Sequence, residues 1–144
     1  MAKRILVPLD GTPTAEAVVP FVADLARSAG STVRLLHVKP VPSNVESKSG
    51  RVVAYADQEM TRLEVEGLTY LESLDALLEG VPVECIVRFG DSVHEILLEA
   101  EAFGADIVAL TTTGRSWLRR ILRGSVAARV FRKAKVPVLV FRTS

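Results

Sequence analysis

Short apolar runs alternate with longer helical patterns along the whole chain of 144 residues. A short apolar run between turn-forming residues is typical of a buried strand, whereas apolar residues that recur every three or four positions predict a helix. The predicted strands are Ile5–Leu9, Thr32–Val38, Val81–Val87, Ile107–Leu110 and Val136–Phe141. The predicted helices run from the cap at Thr12 to Gly30, from Tyr55 to Leu78, from Ser92 to Phe103, and onward from Gly124-Ser125.

This alternation restricts the fold class. Strands that alternate with helices predict a three-layer α/β/α protein, with a five-stranded, mostly parallel open sheet and four helices joined by right-handed crossovers. Because 49% of the residues are hydrophobic, the chain can bury one core, and we expect residues 1–144 to form a single domain. Ligands of such sheets bind outside the carboxyl ends of the strands, where the winding direction reverses.

Local signals mark several boundaries of these elements. Thr12 and Pro13 suit the cap and first turn of the first helix, and Ser92 with Glu95 has the spacing of a capping box. Residues 39–54 contain two prolines and many polar residues, which predicts a loop that either covers a ligand or is a disordered connector. The loop after the fourth strand is expected to open at Thr111.

Two glycines follow the fourth predicted strand in a pattern that suits an anion. Gly114 and Gly124 are separated by a nine-residue spacer, and Gly124-Ser125 directly precedes the last helix. The amide N–H groups of a first helical turn attract phosphate, and glycine allows the backbone to approach it closely. The alternative is a plain turn with an N-cap at the start of this helix.

Basic residues surround these glycines. Between Thr112 and Lys135 there are eight Lys or Arg residues and no Asp or Glu, whereas 13 of the 17 acidic residues lie between Asp57 and Asp106. Arg115 and its neighbours Arg119, Arg120 and Arg123 either contact phosphate or form a solvated basic loop. Because Trp117 and Phe131 are the only aromatic residues of this segment, we do not expect nucleic acid as the partner.

At these residues the chain resembles the universal stress protein family. Nucleotide-binding members carry a glycine, two residues, a second glycine, nine residues and then Gly-Ser or Gly-Thr. Gly114, the spacer and Gly124-Ser125 match this pattern, and Thr111 stands in place of the first glycine. Asp10 also matches, since the family places an aspartate after a similar first strand; from local sequence alone, Asp10 suits a ligand or a turn equally.

The resemblance implies an adenine nucleotide alpha hydrolase-like fold that binds ATP, ADP or AMP at the carboxyl edge of the sheet. The base would lie near Val38, the ribose near Asp10, and the phosphates against the backbone of the glycine segments. Asp10 could also hold magnesium that arrives with the nucleotide. The implied binding residues are Pro8, Leu9, Asp10, Val38, Leu110, Thr111, Thr113, Gly114, Arg115, Gly124, Ser125, Val126 and Ala127.

The implied role is a nucleotide-dependent switch or partner-binding module in the stress response, with an unknown protein partner. The alternative is a dimeric interaction protein that does not bind nucleotide, which Thr111 favours. The resemblance, and the uniformly apolar strand 136–141, predict a homodimer through that strand. No signal peptide or membrane-spanning run is evident in the sequence, so we expect a soluble cytoplasmic protein.

Dedicated catalysis is not expected, and any ATP hydrolysis should be slow. The sequence contains none of the HExxH, GxSxG or GxxxxGK[ST] motifs, and no nucleophile with an adjacent base can be identified. Cys85 is the only cysteine and lies in an apolar run, so we interpret it as a small buried hydrophobe. His37 and His94 lie on different elements, and we interpret both as structural or solvated.

Overall fold

The computed structural model describes residues 3–42, 50–113 and 126–143. Its strands are β1 (Arg4–Leu9), β2 (Thr32–Lys39), β3 (Val83–Phe89), β4 (Ile107–Thr113) and β5 (Val138–Thr143). Its helices are α1 (Pro13–Glu16), α2 (Val19–Ala29), α3 (Gly50–Glu72), α4 (Ser92–Phe103) and α5 (Val126–Lys133), with a 3-10 turn at Asp75–Leu78. With α1 and α2 taken as one interrupted helix, the predicted fold of five strands and four helices is confirmed.

The five strands form one parallel sheet in the order β3-β2-β1-β4-β5. Leu9 at the end of β1 pairs with His37 in β2, and Ile5 pairs with Ile107 in β4. The order therefore reverses at β1, since β2 and β3 lie on one side of it and β4 and β5 on the other. The carboxyl ends of β1 and β4 are adjacent at this switch point, where α/β sheets bind ligands.

Successive side chains of the central strand alternate between two cores. Ile5 and Val7 contribute to the core shared with α2 and α3, whereas Leu6 contributes to the core shared with α4 and α5. All three side chains are fully buried. A strand that is apolar on both faces is the pattern of a sheet covered by helices on each side.

The first predicted helix is interrupted. It begins as expected, because Thr12 accepts a hydrogen bond from the amide of Ala15 and Pro13 occupies the first turn, but α1 ends at Glu16 and α2 begins only at Val19. Pro20 has no N–H to donate to the carbonyl four residues earlier, so a continuous helix would lose that bond here. α1 lies close to the end of β4, where the Ala15 carbonyl accepts a hydrogen bond from the Thr111 hydroxyl.

Other predicted boundaries were wrong by a few residues. The third helix starts at Gly50 and ends at Glu72, so the predicted loop of residues 39–54 is shorter than expected. Strands β3 and β5 begin after Pro82 and Pro137, whose carbonyl groups accept bonds from Val33 and Val108. Proline lacks the N–H that a strand residue donates, which explains why both strands start later than the apolar run does.

Thr111 lies inside β4 and does not open a loop. β4 continues through Thr113 because Thr111, Thr112 and Thr113 pair in register with Phe141, Arg142 and Thr143 of β5. Three consecutive β-branched residues favour this extension. The polar run after Leu110 is therefore strand, and the carboxyl end of β4 lies three residues later than predicted.

Candidate functional site

A pocket of about 210 Å³ opens at the carboxyl edge of the sheet, over the switch point. The ends of β1, β2 and β4 contribute its floor, and the first turns of α1, α4 and α5 contribute its walls. Most of the lining side chains are apolar, with polar groups at Asp10, Ser92 and Thr111. The lining residues are Pro8, Leu9, Asp10, Ala15, Leu36, Val38, Ser92, Ile96, Leu110, Thr111, Val126 and Ala127.

Eight of the residues implied by the resemblance line this one pocket. They are Pro8, Leu9, Asp10, Val38, Leu110, Thr111, Val126 and Ala127. Thr113 lies in β4, and Gly114, Arg115, Gly124 and Ser125 lie outside the described residues, as do Arg119, Arg120 and Arg123. The structure thus brings residues from both sides of the switch point, on β1, β2, β4 and α5, to one pocket.

Sequence reasoning missed four lining residues, which are Ala15, Leu36, Ser92 and Ile96. The strand period gave a signal for Leu36, because it lies two residues before Val38 and so faces the same side of β2. Ile96 lies four residues after Ser92, hence on the same face of α4. Ser92 and Ile96 form a wall of the pocket only because α4 lies over the edge of the sheet. Tertiary packing sets that position.

Asp10 holds the turn after β1 and also lines the pocket. Its Oδ1 accepts hydrogen bonds from the Thr12 amide at 3.0 Å and from the Thr12 hydroxyl at 2.6 Å. Gly11 between them has a φ of 87°, a left-handed conformation that glycine adopts without strain. The turn interpretation of Asp10 is therefore confirmed, and the turn itself presents the carboxylate at the pocket.

Thr111 bonds to α1 and lines the pocket. Its hydroxyl donates a hydrogen bond to the carbonyl of Ala15 at 3.1 Å. Ala15 lies at the end of the short helix α1, close to the interruption before Pro20. The hydroxyl therefore supplies a partner for a carbonyl at a helix end, where orphan carbonyls need one.

A polar cluster on the opposite face supports the β1 end of the pocket. The Nδ1–H of His37 donates to the Leu9 carbonyl at 2.8 Å, and the Tyr70 hydroxyl donates to Glu16 at 2.6 Å. Burial, and then the bond to Glu16, raise the pKa of Tyr70 well above its usual value, so the phenol stays protonated. The structural interpretation of His37 is confirmed, and His94 is exposed as expected.

Asp91, and not Ser92, caps helix α4. The carboxylate of Asp91 accepts the amide of His94 at 2.9 Å, and Ser92 is already the first helical residue. The predicted capping box is wrong because Asp91 is the N-cap, which places His94 and not Glu95 at the third helical position. Glu95 pairs with Arg88, at 2.8 Å between Oε1 and Nε. Aspartate caps helices as well as serine does, so Ser92 is displaced to the pocket wall.

Metal-binding and membrane-spanning features are absent from the described part of the chain. Within residues 3–42, 50–113 and 126–143 no group of three or more His, Cys, Asp or Glu side chains could hold a metal ion. In the same ranges no helix has the length and apolar character needed to cross a bilayer. Cys85 is partly buried, and this burial raises the pKa of its thiol, as expected of an inert cysteine.

The fold and the pocket define a doubly wound α/β protein with a pocket at the switch point of its sheet. The family model of the universal stress protein family matches residues 1–142. The chain therefore belongs to the universal stress protein family, as the resemblance in its sequence suggested.

Three solved structures illustrate the similarity. The chain is 31% identical to MJ0577 of Methanocaldococcus jannaschii, with a TM-score of 0.78 and coverage of 99% of this chain and 96% of that one. A universal stress protein in complex with cAMP gives 20% identity, a TM-score of 0.72 and coverage of 99% and 98%. One from Archaeoglobus fulgidus in complex with dAMP gives 21% identity, a TM-score of 0.59 and coverage of 96% of both chains.

Proposed function

We propose that this protein binds an adenine nucleotide in the pocket at the carboxyl edge of its sheet. The observation that carries the proposal is the convergence of Asp10, Val38, Thr111 and Val126 on one opening over the switch point. The base lies toward Val38, the ribose toward Asp10, and the phosphates toward the first turn of α5. Because a helix N-terminus stabilises negative charge, the phosphates are expected to point toward the start of α5.

The pocket has the lining typical of a small-molecule site but is smaller than most such sites. Apolar walls with a few polar groups are typical of small-molecule sites, which usually enclose about 300–1,000 Å³. Since the pocket encloses about 210 Å³, it accommodates the base and part of the sugar, and the phosphates extend past Val126. Two relatives of the same fold were solved with cAMP and with dAMP, which are adenine nucleotides.

Binding would act as a switch or enable contact with a protein partner in the cytoplasmic stress response. Residues 112–135 carry eight basic side chains, so charge from bound phosphates would alter the field at a potential partner surface. Magnesium, where it participates, would arrive with the nucleotide and meet Asp10. Turnover is expected to be slow, because no described lining residue other than Asp10 has a side chain that could activate water.

Isothermal titration calorimetry tests the proposal directly. ATP, ADP, AMP and cAMP are titrated into the protein, with and without magnesium and at millimolar protein concentration. We expect saturable heat for at least one of these nucleotides and a rise in melting temperature at the same concentrations. No heat and no thermal shift with any of the four would refute nucleotide binding.

A second candidate function is an interaction module that does not bind nucleotide. Thr111 favours it, because a β-branched residue stands where nucleotide-binding relatives have the first glycine of their motif. The two candidates predict different results for Thr111→Gly. If Thr111 blocks the ligand, the variant gains affinity; if it fixes α1 through the Ala15 carbonyl, the variant is less stable and gains none.

We also propose that the chain forms a homodimer through β5. This strand is one edge of the sheet in the described residues, and its apolar side chains are only partly buried. Phe21 of α2 contacts Phe141 of β5 with 5.9 Å between ring centroids, and Phe21 is 46% exposed. A second copy paired along β5 would cover both the strand edge and this ring.

A further inference from the structure

We propose that the Ser92 hydroxyl recognises the 6-amino group of the bound base and so selects adenine over a purine that lacks this group. The inference rests on the proposed function and names a specificity-determining residue of the same pocket. Ser92 fits the cap of α4 by its spacing, but the structure gives this role to Asp91.

The Ser92 hydroxyl is not needed for the helix. The Asp91 carboxylate already accepts the His94 amide, and the Asp91 carbonyl accepts the Glu95 amide at 2.9 Å. Among the described residues, the Ser92 side chain makes no hydrogen bond to the protein. The other two polar side chains of the pocket differ in this respect, because Asp10 bonds to Thr12 and Thr111 bonds to Ala15.

A partly buried hydroxyl in apolar surroundings favours a ligand with a matching polar group. Ser92 lines the pocket together with Leu36, Val38 and Ile96, none of which has a polar side-chain atom. Burying a hydroxyl without a hydrogen bond is unfavourable, so a base that offers a partner is preferred over one that does not. A serine hydroxyl accepts as readily as it donates.

The sheet order places Ser92 at the base end of the pocket. β3 and β2 lie on one side of the switch point, and Ser92 follows β3 by three residues. Val126 and Ala127 belong to α5, which lies between β4 and β5 in sequence on the other side of the switch point. A nucleotide with its phosphates at α5 therefore directs its base toward β2 and the first turn of α4.

The 6-amino group is the group that distinguishes adenine from unsubstituted purine. It donates N–H, and the Ser92 oxygen can accept it. Val38, Leu36 and Ile96 contact either base equally through its faces, because apolar contacts do not depend on the 6-substituent. Ser92 is thus the lining side chain whose contribution to binding depends on that substituent.

A thermodynamic cycle between protein and ligand tests the proposal. The dissociation constants of AMP and of purine riboside 5′-monophosphate, which lacks the 6-amino group, are measured by calorimetry for the native protein and for Ser92→Ala. We expect the native protein to prefer AMP by about five- to tenfold and Ser92→Ala to bind both ligands within about twofold of each other. Ser92→Thr, which keeps the hydroxyl, should restore the preference.

Ser28→Ala is the matched control, because it removes an exposed serine hydroxyl from α2, far from the pocket. It should keep the native preference. An unchanged AMP preference in Ser92→Ala, or equal losses for both ligands, would overturn the role of Ser92 while leaving nucleotide binding intact. Failure of the native protein to bind AMP would overturn the inference about Ser92, whereas the proposed function is refuted only if ATP, ADP and cAMP also fail to bind.

Discussion

Glu99 is a buried acid whose position between two arginines stabilises the fold. It is 3% exposed and reaches Arg34 at 2.5 Å and Arg88 at 2.9 Å, and Arg34 also lies over the Phe103 ring at 4.2 Å. Burial would lower the pKa of Arg34, but its bonds to Glu84 and Glu99 raise it, so the arginine remains charged. Through these bonds α4 is attached to β2 and β3 beside the pocket wall.

Glu99→Ala should lower the free energy of unfolding by about 2–3 kcal/mol, because it removes the buried partner that two arginines share, although Glu84 and Glu95 still pair with them. Glu66→Ala is the control. It breaks the surface pair of Arg62 and Glu66 at 3.1 Å and should cost less than about 1 kcal/mol. Urea denaturation measures both, and equal small losses would contradict a structural role for Glu99.

Asp106 makes stability depend on pH at the acid end. Its carboxylate accepts the amides of Lys3 and Arg4, both at 2.9 Å, and these bonds lower its pKa from 3.8. Because the folded-state pKa lies below the unfolded one, the stabilisation is present above the unfolded pKa and is lost as pH falls through the folded pKa. The group therefore contributes at neutral pH and not in strong acid.

We predict that the stability difference between the native protein and Asp106→Asn is constant above about pH 5 and shrinks as pH falls below about 4. Urea denaturation at a series of pH values measures this difference. A difference that stays constant down to about pH 2 would show that the two amide bonds do not shift the titration of Asp106.

Helix α3 packs closely on the sheet because Gly67 lacks a side chain. A Cβ at Gly67 would lie 2.7 Å from Cγ2 of Val87 and 3.1 Å from Cε of Lys39. Alanine is otherwise better than glycine inside a helix by about 1 kcal/mol. The close contact between α3 and β3 therefore outweighs helix propensity at this position.

Gly67→Ala should destabilise the protein by about 1–2 kcal/mol through overpacking. In a Val87→Ala background the same change should become neutral or stabilising, since the clashing methyl group is gone. A double-mutant cycle by thermal denaturation checks the sign. Stabilisation by Gly67→Ala in the native background would show that α3 does not pack this closely.

The hydrophobic pattern predicted the helices and strands correctly where it extended over many residues. It failed at element ends where individual residues determined the local structure. The order of strands and helices followed from alternation alone. The end of β4 did not, because Thr111 to Thr113 are polar and join the sheet only through pairing with β5. The cap of α4 was misassigned because Asp91 and Ser92 are both good N-cap residues and Asp91 takes the position. Glu95 pairs with Arg88.

At the scale of the whole molecule, we predict self-association that depends on Phe21. Phe21→Asn should weaken a β5-mediated dimer about tenfold or more, because the ring lies beside the edge strand. Val65→Asn is the control, since Val65 is 58% exposed but belongs to α3, away from β5. Analytical ultracentrifugation distinguishes the variants, and a native monomer at high concentration would contradict the dimer.

The candidate site could be predicted only in part, because its residues come together through the order of the strands and the position of the helices. Asp10, Val38 and Leu110 were implied by the family resemblance, and they lie at the strand ends where ligands of such sheets bind. Ser92 and Ile96 required knowledge that α4 lies over the ends of β1 and β2. No local pattern carries that information, since it depends on how the two cores fix the helices on the sheet.

The central claim is that the pocket over the switch point binds an adenine nucleotide, and amide chemical-shift mapping tests it most directly. AMP is titrated into the ¹⁵N-labelled protein and the backbone resonances are followed. We predict saturable shifts at Asp10, Val38 and Ala127, with Ser28 unchanged. Absence of shifts at these pocket residues, or shifts confined to other surfaces, would contradict the account.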